Sequence, residues 1–258
     1  MKKLLTQLTG FLCLFSVLHA QTKQKNFFAE VSAGPSFPIG KFAEKTSNGL
    51  MEKDPVGFAN LGLAANVTVG YYINRSIGVL LIGGYSENRQ NASSYEDYLR
   101  RYWLGGYTTI DTETNKWKVK KAMGGIFWIT PLTASSKIKL LTKLTAGICK
   151  TAIPGYSYNA FSSGPGGTYR RATGYMSKTV LKSSFCYQVS VEGQYKLNDK
   201  LYALLDINCF NGAPEKTMTY NTNEPLPTST GYPYQFRTEK RAYRLGSVNA
   251  LLGLGLSF

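Results

Sequence analysis

The chain has 258 residues and a formal net charge of +15, although only 17% of its residues are charged. Its contents of glycine (26), tyrosine (18) and phenylalanine (13) are high. After the first apolar segment, no stretch reaches the roughly 18 consecutive apolar residues of a transmembrane helix, which excludes a helical membrane protein. The mature chain is therefore either exported in soluble form or crosses a membrane as strands, and its aromatic content favours strands.

The N-terminal segment has the layout of a secretory signal peptide. Lys2 and Lys3 form a basic region, residues 11–18 form an apolar stretch, and Ala20 is the small residue before the cut. The apolar stretch is too short for a comfortable transmembrane helix. We predict a signal peptide at residues 1–20 and an exported domain at residues 21–258.

Histidine and cysteine usage narrows the chemistry of the mature chain. The one histidine, His19, lies in the signal peptide. After cleavage there is no histidine for a Ser-His or Cys-His nucleophile or for a metal site, so we expect no enzyme, no catalytic residue, no metal and no cofactor. Cys149, Cys186 and Cys209 remain, an odd number without metal-like spacing. We expect them to be small apolar strand residues rather than a disulfide.

Alternation of apolar with polar or small residues, the pattern of a two-faced strand, recurs eight times. In chain order the segments lie near residues 27–37, 61–71, 77–85, 117–129, 138–148, 185–195, 201–208 and 247–258. Short connections rich in turn-forming residues follow the second, fourth and sixth segments. The other four connections are long and lie near residues 38–57, 86–115, 154–182 and 212–242.

The composition of the two strand faces indicates a barrel in lipid. One face is a row of Leu, Val, Ile and aromatic residues, and the other is rich in Gly, Ser, Asn, Gln and Thr. A polar lumen, an apolar wall, short turns on one side and long loops on the other are typical of transmembrane barrels. We predict an all-β fold, an eight-stranded antiparallel transmembrane β-barrel with short periplasmic turns and four long extracellular loops.

Two sets of side chains are assigned to the outer wall. On the fourth strand, the apolar face comprises Trp117, Val119, Met123, Phe127 and Ile129. Aromatic residues near the strand ends are expected to form two interfacial girdles. The girdle residues are Tyr71, Phe127, Trp128, Tyr195, Tyr202 and Phe258 near the short turns, and Phe37, Tyr85, Trp117 and Phe185 near the long loops.

The last ten residues form an alternating strand that ends on Phe258. This strand resembles the C-terminal strand read by the outer-membrane barrel assembly machinery, and the whole pattern resembles small barrels of the OmpA/OmpX type. The Tyr- and Gly-rich style is similar to outer-membrane β-barrel proteins of Bacteroidetes. The resemblance implies a monomer in the outer membrane of a Gram-negative bacterium, with Phe258 as its assembly signal. The implied partners are outer-membrane lipids, lipopolysaccharide and the assembly machinery. Such a resemblance is specific for location and weak for function.

A charged cluster is predicted inside the barrel. Glu192 and Asp206 fall opposite each other across a short turn, and two adjacent buried carboxylates need a cation. Lys143, on the neighbouring strand, should lie at the height of Glu192, and Glu30 projects from across the barrel. We expect Lys143, together with Lys139, to bridge the three acids. The cluster is a structural plug, a gate or proton-linked pore, or a catalytic pair, and the narrow interior of eight strands favours the plug.

The middle of the chain is strongly basic. Between Glu113 and Glu192 there are twelve Lys and Arg residues and no acid, and we expect them to form a positive patch on the outer rim. The four in or beside the third long loop are Arg170, Arg171, Lys178 and Lys182. Arginine can bind phosphate or carboxylate with two parallel hydrogen bonds, so these four are predicted to contact lipopolysaccharide or another anionic glycan. Nothing in the sequence resembles a nucleic-acid-reading module.

These patterns favour a non-enzymatic, surface-exposed structural or ligand-binding protein that acts through its long loops. Two alternatives remain open. The first is a narrow pore or transporter component, and the second is an accessory barrel of a secretion or assembly system.

Overall fold

A computed structural model describes residues 26–47, 56–102, 104, 107, 109–132, 137–163, 169–176, 179–222 and 235–258. The predicted signal peptide lies outside these residues, so its cleavage stays a prediction. In chain order the elements are β1 (Phe27–Pro38), a 3-10 turn (Gly40–Phe42), β2 (Ala59–Tyr72), β3 (Ile77–Gln90), α1 (Ala92–Tyr102), β4 (Thr109–Thr114), β5 (Lys116–Pro131), β6 (Ile138–Ile153), β7 (Tyr156–Ser163), β8 (Tyr169–Met176), β9 (Thr179–Val180), β10 (Ser184–Lys196), β11 (Leu201–Gly212), β12 (Glu215–Thr222), β13 (Gln235–Ala242) and β14 (Leu245–Ser257).

Eight of the described strands close into a barrel. Their order around the wall is β1-β2-β3-β5-β6-β10-β11-β14, and β14 pairs back with β1. Every neighbouring pair is antiparallel. The eight-stranded antiparallel barrel predicted from the alternation is therefore confirmed.

The two ends of the barrel differ in how the chain turns. At one end the connections are short, and two of them use the same device. The Asn74 side-chain oxygen accepts the backbone N–H groups of Ser76 and Ile77 at 2.8 and 2.9 Å. Asn198 accepts those of Lys200 and Leu201 at 2.9 and 2.8 Å. An asparagine that bonds the backbone two or three residues on replaces a backbone turn.

At the other end, four long connections join the strands. We name them L1 (residues 39–58), L2 (91–115), L3 (154–183) and L4 (213–244). The described elements outside the barrel wall lie in these connections, and they include a three-stranded sheet of β4, β7 and β8 and a hairpin of β12 and β13.

The barrel is inverted relative to a soluble one, because its large apolar side chains point outward. In β2, Leu63, Val67 and Val69 are exposed, whereas Asn66 and Thr68 between them are buried. Exposed apolar residues from the other strands include Val31, Leu81, Ile126, Leu144, Ile148, Val189, Val191, Leu205, Ile207, Leu252 and Leu254. An apolar outer wall around a polar interior is the arrangement that lipid requires. Within the described part of the chain, no helix has the length and apolarity to cross a membrane.

Glycines on the inner face make room for aromatic rings on neighbouring strands. A Cβ at Gly70 would lie 2.2 Å from the Phe28 ring, and one at Gly255 would lie 2.2 Å from the Tyr202 ring. Neither contact is possible for a real side chain, so these positions favour glycine. Pairing a large residue with a glycine lets a narrow lumen fill to the density of a protein interior.

The orientation predicted for the fourth barrel strand, which is β5, is wrong. Trp117, Val119, Met123 and Phe127 are buried in the lumen, and it is Ile126 and Trp128 that face outward. A narrow barrel is filled by side chains, so apolar residues are as suitable inside it as outside.

The error also changes the aromatic girdles. Tyr71, Trp128 and Tyr195 are exposed near the short turns, and Phe37 and Phe185 are exposed near the long loops. The other aromatic residues predicted for the girdles are not fully exposed on the outer wall. Tyr85 and Phe258 are half-buried, and Phe127, Trp117 and Tyr202 lie in the interior.

Candidate functional site

A charged cluster lies in the lumen, with Lys143 at its centre. The Lys143 ammonium group is 3.1 Å from Glu30 Oε2 and also donates a hydrogen bond to Glu192 Oε2. All three side chains are almost completely buried. The strands β6 and β10 are neighbours in the wall, and closure of the barrel brings Glu30 of β1 to them across the lumen.

Two neutral side chains complete the hydrogen bonds of the acids. Gln194 Nε2 donates to Glu30 Oε1 at 3.0 Å and to Glu192 Oε1 at 2.8 Å. The Tyr202 hydroxyl donates to Glu30 Oε1 at 2.9 Å. Every oxygen of the two carboxylates thus has a partner, which is what a stable buried ion pair requires.

Sequence reasoning missed Gln194 and Tyr202 as members of the cluster. Gln194 lies two residues after Glu192, and Tyr202 lies four residues before Asp206, so both are on the inward side of their strands. The period of two along each strand is the signal that places these neutral residues on the same inward face as the acids.

The other two predicted members have different surroundings. Asp206 is buried and directly opposite Glu192 in the strand register, but its Oδ1 has no hydrogen-bond partner among the described residues. Lys139 makes no ion pair with the acids in that part of the chain, and it lines a cavity at the short-turn end of the barrel. The register explains this position, because Lys139 lies opposite Gln194, nearer the short turns than Lys143.

A second buried lysine, Lys121, lies on the inner face of β5. Its ammonium group donates to Gln188 Oε1 at 2.5 Å and lies 4.9 Å from the centre of the Phe210 ring. A Cβ at Gly84 would lie 2.4 Å from the side chain of Lys121. The absence of a side chain at Gly84 therefore leaves space for Lys121 in the lumen. The density of charge in the sequence predicts a rim position for Lys121, and the structure places it in the lumen instead.

Several buried polar atoms at mid-strand positions on the inner face of the wall have no partner among the described residues. They are Asn66 Oδ1, Gln188 Nε2, Ser190 Oγ, Asp206 Oδ1, Asn208 Nδ2 and Asn249 Oδ1. Buried polar groups are generally hydrogen-bonded, and ordered water is the usual partner where protein groups are absent. We therefore expect internal water in the middle of the lumen.

Apolar side chains fill the lumen on both sides of these polar groups. Near the short turns, Phe28 packs edge-on against Phe127 with ring centres 5.4 Å apart, and Tyr72 packs against the same ring at 5.4 Å. Near the long loops, Trp117 packs against Phe42 at 5.4 Å and donates its indole N–H to the Gly57 carbonyl at 2.8 Å. L1 therefore folds over the outer end of the lumen.

L2 and L3, together with the end of L1, form a small folded unit outside the barrel. Tyr95 of α1 lies at the centre of its core, with its ring centre 4.8 Å from that of Tyr156 and 5.7 Å from that of Phe58. The buried core comprises Val56, Phe58, Tyr95, Leu99, Leu104, Ile110 and Ala160. Burial, and then the neighbouring Tyr156, raises the pKa of the Tyr95 hydroxyl above its ordinary value. We name this unit, made of α1, β4, β7 and β8, the loop subdomain.

Polar contacts also hold the loop subdomain together. Asn91 begins the helix, because its side-chain oxygen accepts the Ser94 backbone N–H at 3.0 Å. Glu96 Oε1 accepts both the backbone N–H and the hydroxyl of Thr112, at 3.2 and 2.9 Å, which ties α1 to β4.

The predicted anion-binding residues of L3 are only partly described. Arg171 is exposed, and its guanidinium group lies 5.6 Å from the centre of the Phe161 ring. Lys182 is also exposed. The side chains of Arg170 and Lys178 are not among those that the structure describes.

The basic run does not form one patch. Lys121 and Lys143 are in the lumen, and Lys137 and Lys139 line the cavity at the short-turn end. The cations at the long-loop end of the wall are Lys116, Lys118, Lys120 and Lys150. The expectation of a single positive rim is therefore wrong, because successive residues of a strand point to opposite sides of the wall.

Two of the rim lysines lie side by side. Lys120 and Lys150 are directly opposite each other on β5 and β6, and both are exposed on the outer face. Lys116 differs from them, since its ammonium group is 2.5 Å from the Glu87 carboxylate. Like charges directly opposite each other are unfavourable in a sheet, so this pair is a place where an anion would stabilise the wall.

A closed barrel with an apolar wall, a filled polar lumen and folded loops at one end defines the chain as a small transmembrane β-barrel of the outer-membrane type. Scans of the sequence against protein-family models and against curated proteins found no match. Solved structures with a similar fold are outer-membrane proteins.

One is Neisserial surface protein A, at 8% identity and a TM-score of 0.44, with 92% of this chain and 100% of that chain covered. Another is OprG from Pseudomonas aeruginosa, at 12% identity and a TM-score of 0.45, with 90% and 96% covered. A third is a major outer membrane protein from Thermus thermophilus, at 10% identity and a TM-score of 0.42, with 90% and 98% covered. At these identities the likeness is one of fold alone.

Proposed function

We propose that this protein is a surface-exposed binding barrel of the outer membrane, which presents its extracellular loops to an anionic ligand and performs no catalysis. The wall anchors the chain in lipid and the lumen is a structural plug. Recognition belongs to the loop end, where lipopolysaccharide or another anionic glycan is the expected partner.

The loop subdomain is the observation that carries this proposal. A loop that only connects two strands has no need of a core, because each strand pair is already joined through the wall. Here two loops distant in sequence contribute to one sheet, in which β4 pairs with β7 and β7 with β8. Ordering so much chain costs conformational entropy. Binding proteins commonly have such ordered segments, because a rigid scaffold positions the surface side chains that contact the ligand.

The chemistry of the ligand is proposed from the exposed cations. Lys120 and Lys150 lie at the edge of the apolar belt, on the side of the long loops. Towards the middle of the wall, the next residues that face lipid are Ala122 on β5 and Ile148 on β6. That height is suited to the phosphates of lipopolysaccharide. Arg171, further out on β8, is suited to the phosphates or carboxylates of a glycan chain.

The first test is a titration of the purified barrel, in zwitterionic nanodiscs, with lipopolysaccharide. We expect the Lys120→Gln/Lys150→Gln variant to bind about 5-fold more weakly, because each solvent-screened ion pair contributes a factor of about two to three. A matched control, Lys137→Gln/Lys200→Gln, removes two cations from the opposite end and is expected to bind as the wild type does. Equal affinity of all three proteins would overturn the role of the rim pair.

The second test concerns L3. Replacing Arg170, Arg171, Lys178 and Lys182 by Ser is expected to weaken binding of an anionic glycan, and the affinity for the wild type should fall as salt rises. An affinity that depends neither on the four residues nor on salt would show that their charges are only a solvated surface.

A narrow pore is the second candidate function. The observation in its favour is the set of unpartnered polar atoms on the inner face of the wall, within the described part of the chain, which indicates water inside the lumen. The aromatic groups on both sides of that water oppose it, so we expect no stable single-channel conductance in planar bilayers. Reproducible conductance that changes in Glu192→Gln or Asp206→Asn would favour the pore over the plug.

A further inference from the structure

The short-turn end of the barrel opens into a cavity of about 820 Å³. Its walls include the short turns, and its floor includes Tyr72, Gln194 and Tyr202. This volume lies within the range of small-molecule sites in proteins. We name this cavity the periplasmic bowl.

The charge of the periplasmic bowl is strongly one-sided. Its described lining contains one acidic residue, Asp199, and Asp199 is 2.7 Å from the ammonium group of Lys196. The cationic residues of the lining are Arg75, Lys137, Lys139, Lys196 and Lys200. Apart from Lys196, none of these five has a carboxylate partner among the described residues.

The neighbouring stretches of the sequence contain no acidic side chain. Residues 1–25, which precede the first described residue, and residues 133–136, in the turn before β6, contain no Asp or Glu. The closest buried acids, Glu30 and Glu192, are already held by Lys143 and by the two floor residues Gln194 and Tyr202. Four cations of the described lining therefore share one concave surface, and no Asp or Glu side chain among the described residues is paired with them.

We propose that the periplasmic bowl binds a soluble polyanion, a small molecule that carries several phosphate or carboxylate groups. Concave surfaces lined by one sign of charge concentrate ions of the opposite sign. Lysine and arginine donors around a bowl can reach several anionic groups at once, which a flat surface cannot do. The side chains line the interior of the barrel mouth and not its lipid-facing wall, so a soluble anion fits better than a lipid headgroup.

The test is calorimetric titration of the purified full barrel, in zwitterionic detergent, with inorganic tripolyphosphate and separately with citrate. We expect at least one probe to bind, and to bind more weakly as salt rises. The Arg75→Gln/Lys137→Gln/Lys139→Gln/Lys200→Gln variant is expected to lose about 30-fold in affinity, at a factor of about two to three for each charge. The relative affinity of the two probes identifies the preferred anionic group.

Two further variants keep the result interpretable. Asp199→Asn removes the one acid of the described lining and is expected to tighten binding about two- to three-fold, a gain that no folding defect can imitate. Arg89→Gln/Arg100→Gln/Arg101→Gln/Lys118→Gln removes four cations from the opposite end, outside the Lys120 and Lys150 pair, and is expected to leave binding of the probes unchanged. Absence of binding by the wild type, or an equal loss in the two fourfold variants, would overturn the proposal without bearing on lipopolysaccharide binding at the rim.

Discussion

Replacing Lys143 by Met tests whether the lumen cluster is a structural plug. Lys143 is 1% exposed and is the cation shared by Glu30 and Glu192. Its removal leaves two carboxylates facing each other in the interior of the barrel. Removing one partner of a buried ion pair costs about 3–5 kcal/mol, and we expect a loss of that size in the free energy of unfolding.

The remaining contacts set how the loss can be reversed. After Lys143→Met, Glu192 still accepts from Gln194, and Glu30 still accepts from Gln194 and Tyr202. Adding Glu192→Gln removes one of the two uncompensated charges and should recover at least about 1–3 kcal/mol, the desolvation penalty of a buried polar group that has lost its partner. The double variant is thus expected to be more stable than the single one, a reversal that only direct coupling produces.

The assay is urea unfolding of the barrel in detergent micelles or liposomes, followed by the mobility of unboiled samples on gels. Lys182→Met, at an exposed position before β10, is the matched control and should change stability by no more than about 0.5 kcal/mol. If Lys143→Met is as stable as this control, the acids are not held by Lys143 and the plug interpretation fails. Water in the lumen would give an intermediate loss but would preserve the rescue by Glu192→Gln.

Three further predictions concern the wall, the loops and assembly. Gly70→Ala should destabilise the barrel by about 1–3 kcal/mol because its methyl group meets the Phe28 ring, whereas Gly83→Ala, with open space around its Cβ, should be nearly neutral in the same unfolding assay. Leu99→Ala should destabilise the loop subdomain by about 2–5 kcal/mol and expose the loops to protease without changing the gel mobility of the folded barrel. Loss of the gel shift would show that loops and barrel unfold together. Deleting Phe258 should lower the amount of protein in the outer membrane of cells, and normal insertion would contradict its role as an assembly signal.

The barrel could be predicted because its strands carry a repeated local pattern. In β2, β10 and β14 the inward and outward rows differ so much in polarity that the period of two decides their orientation. In β5 both rows of side chains are largely apolar. The alternation therefore separates the two faces of the strand but does not show which face is in contact with lipid. Lys121 was the available signal, since it shares a row with Trp117 and Met123, and a lysine in mid-wall is strongly disfavoured against lipid.

The lumen and the loops needed information that a local pattern does not contain. The height of Glu30 relative to Lys143 depends on the stagger of strands across the whole barrel, and a shift of two residues would have paired different side chains. The loop subdomain depends on pairing between residues far apart in sequence, as in Ile110 of β4 opposite Ala160 of β7. Only its helix left a local signal, the capping residue Asn91 with basic residues in the last turn.

The fate of each lysine in the basic middle of the chain follows from its position in the register rather than from the density of charge around it. Lys120 and Lys121 are consecutive, yet one is exposed on the outer face and the other is buried beside Gln188. On β6 the inward positions Lys139 and Lys143 are separated by about 13 Å along the strand, enough to place one in the periplasmic bowl and the other between two acids. Net charge alone thus says little about which ligand a barrel binds, because cations that are close in sequence lie in the lumen, at the rim on the long-loop side and in the periplasmic bowl. Among the described cations of this basic stretch, those at the two open ends of the barrel remain available to an external anion, whereas Lys121 and Lys143 are buried in the lumen.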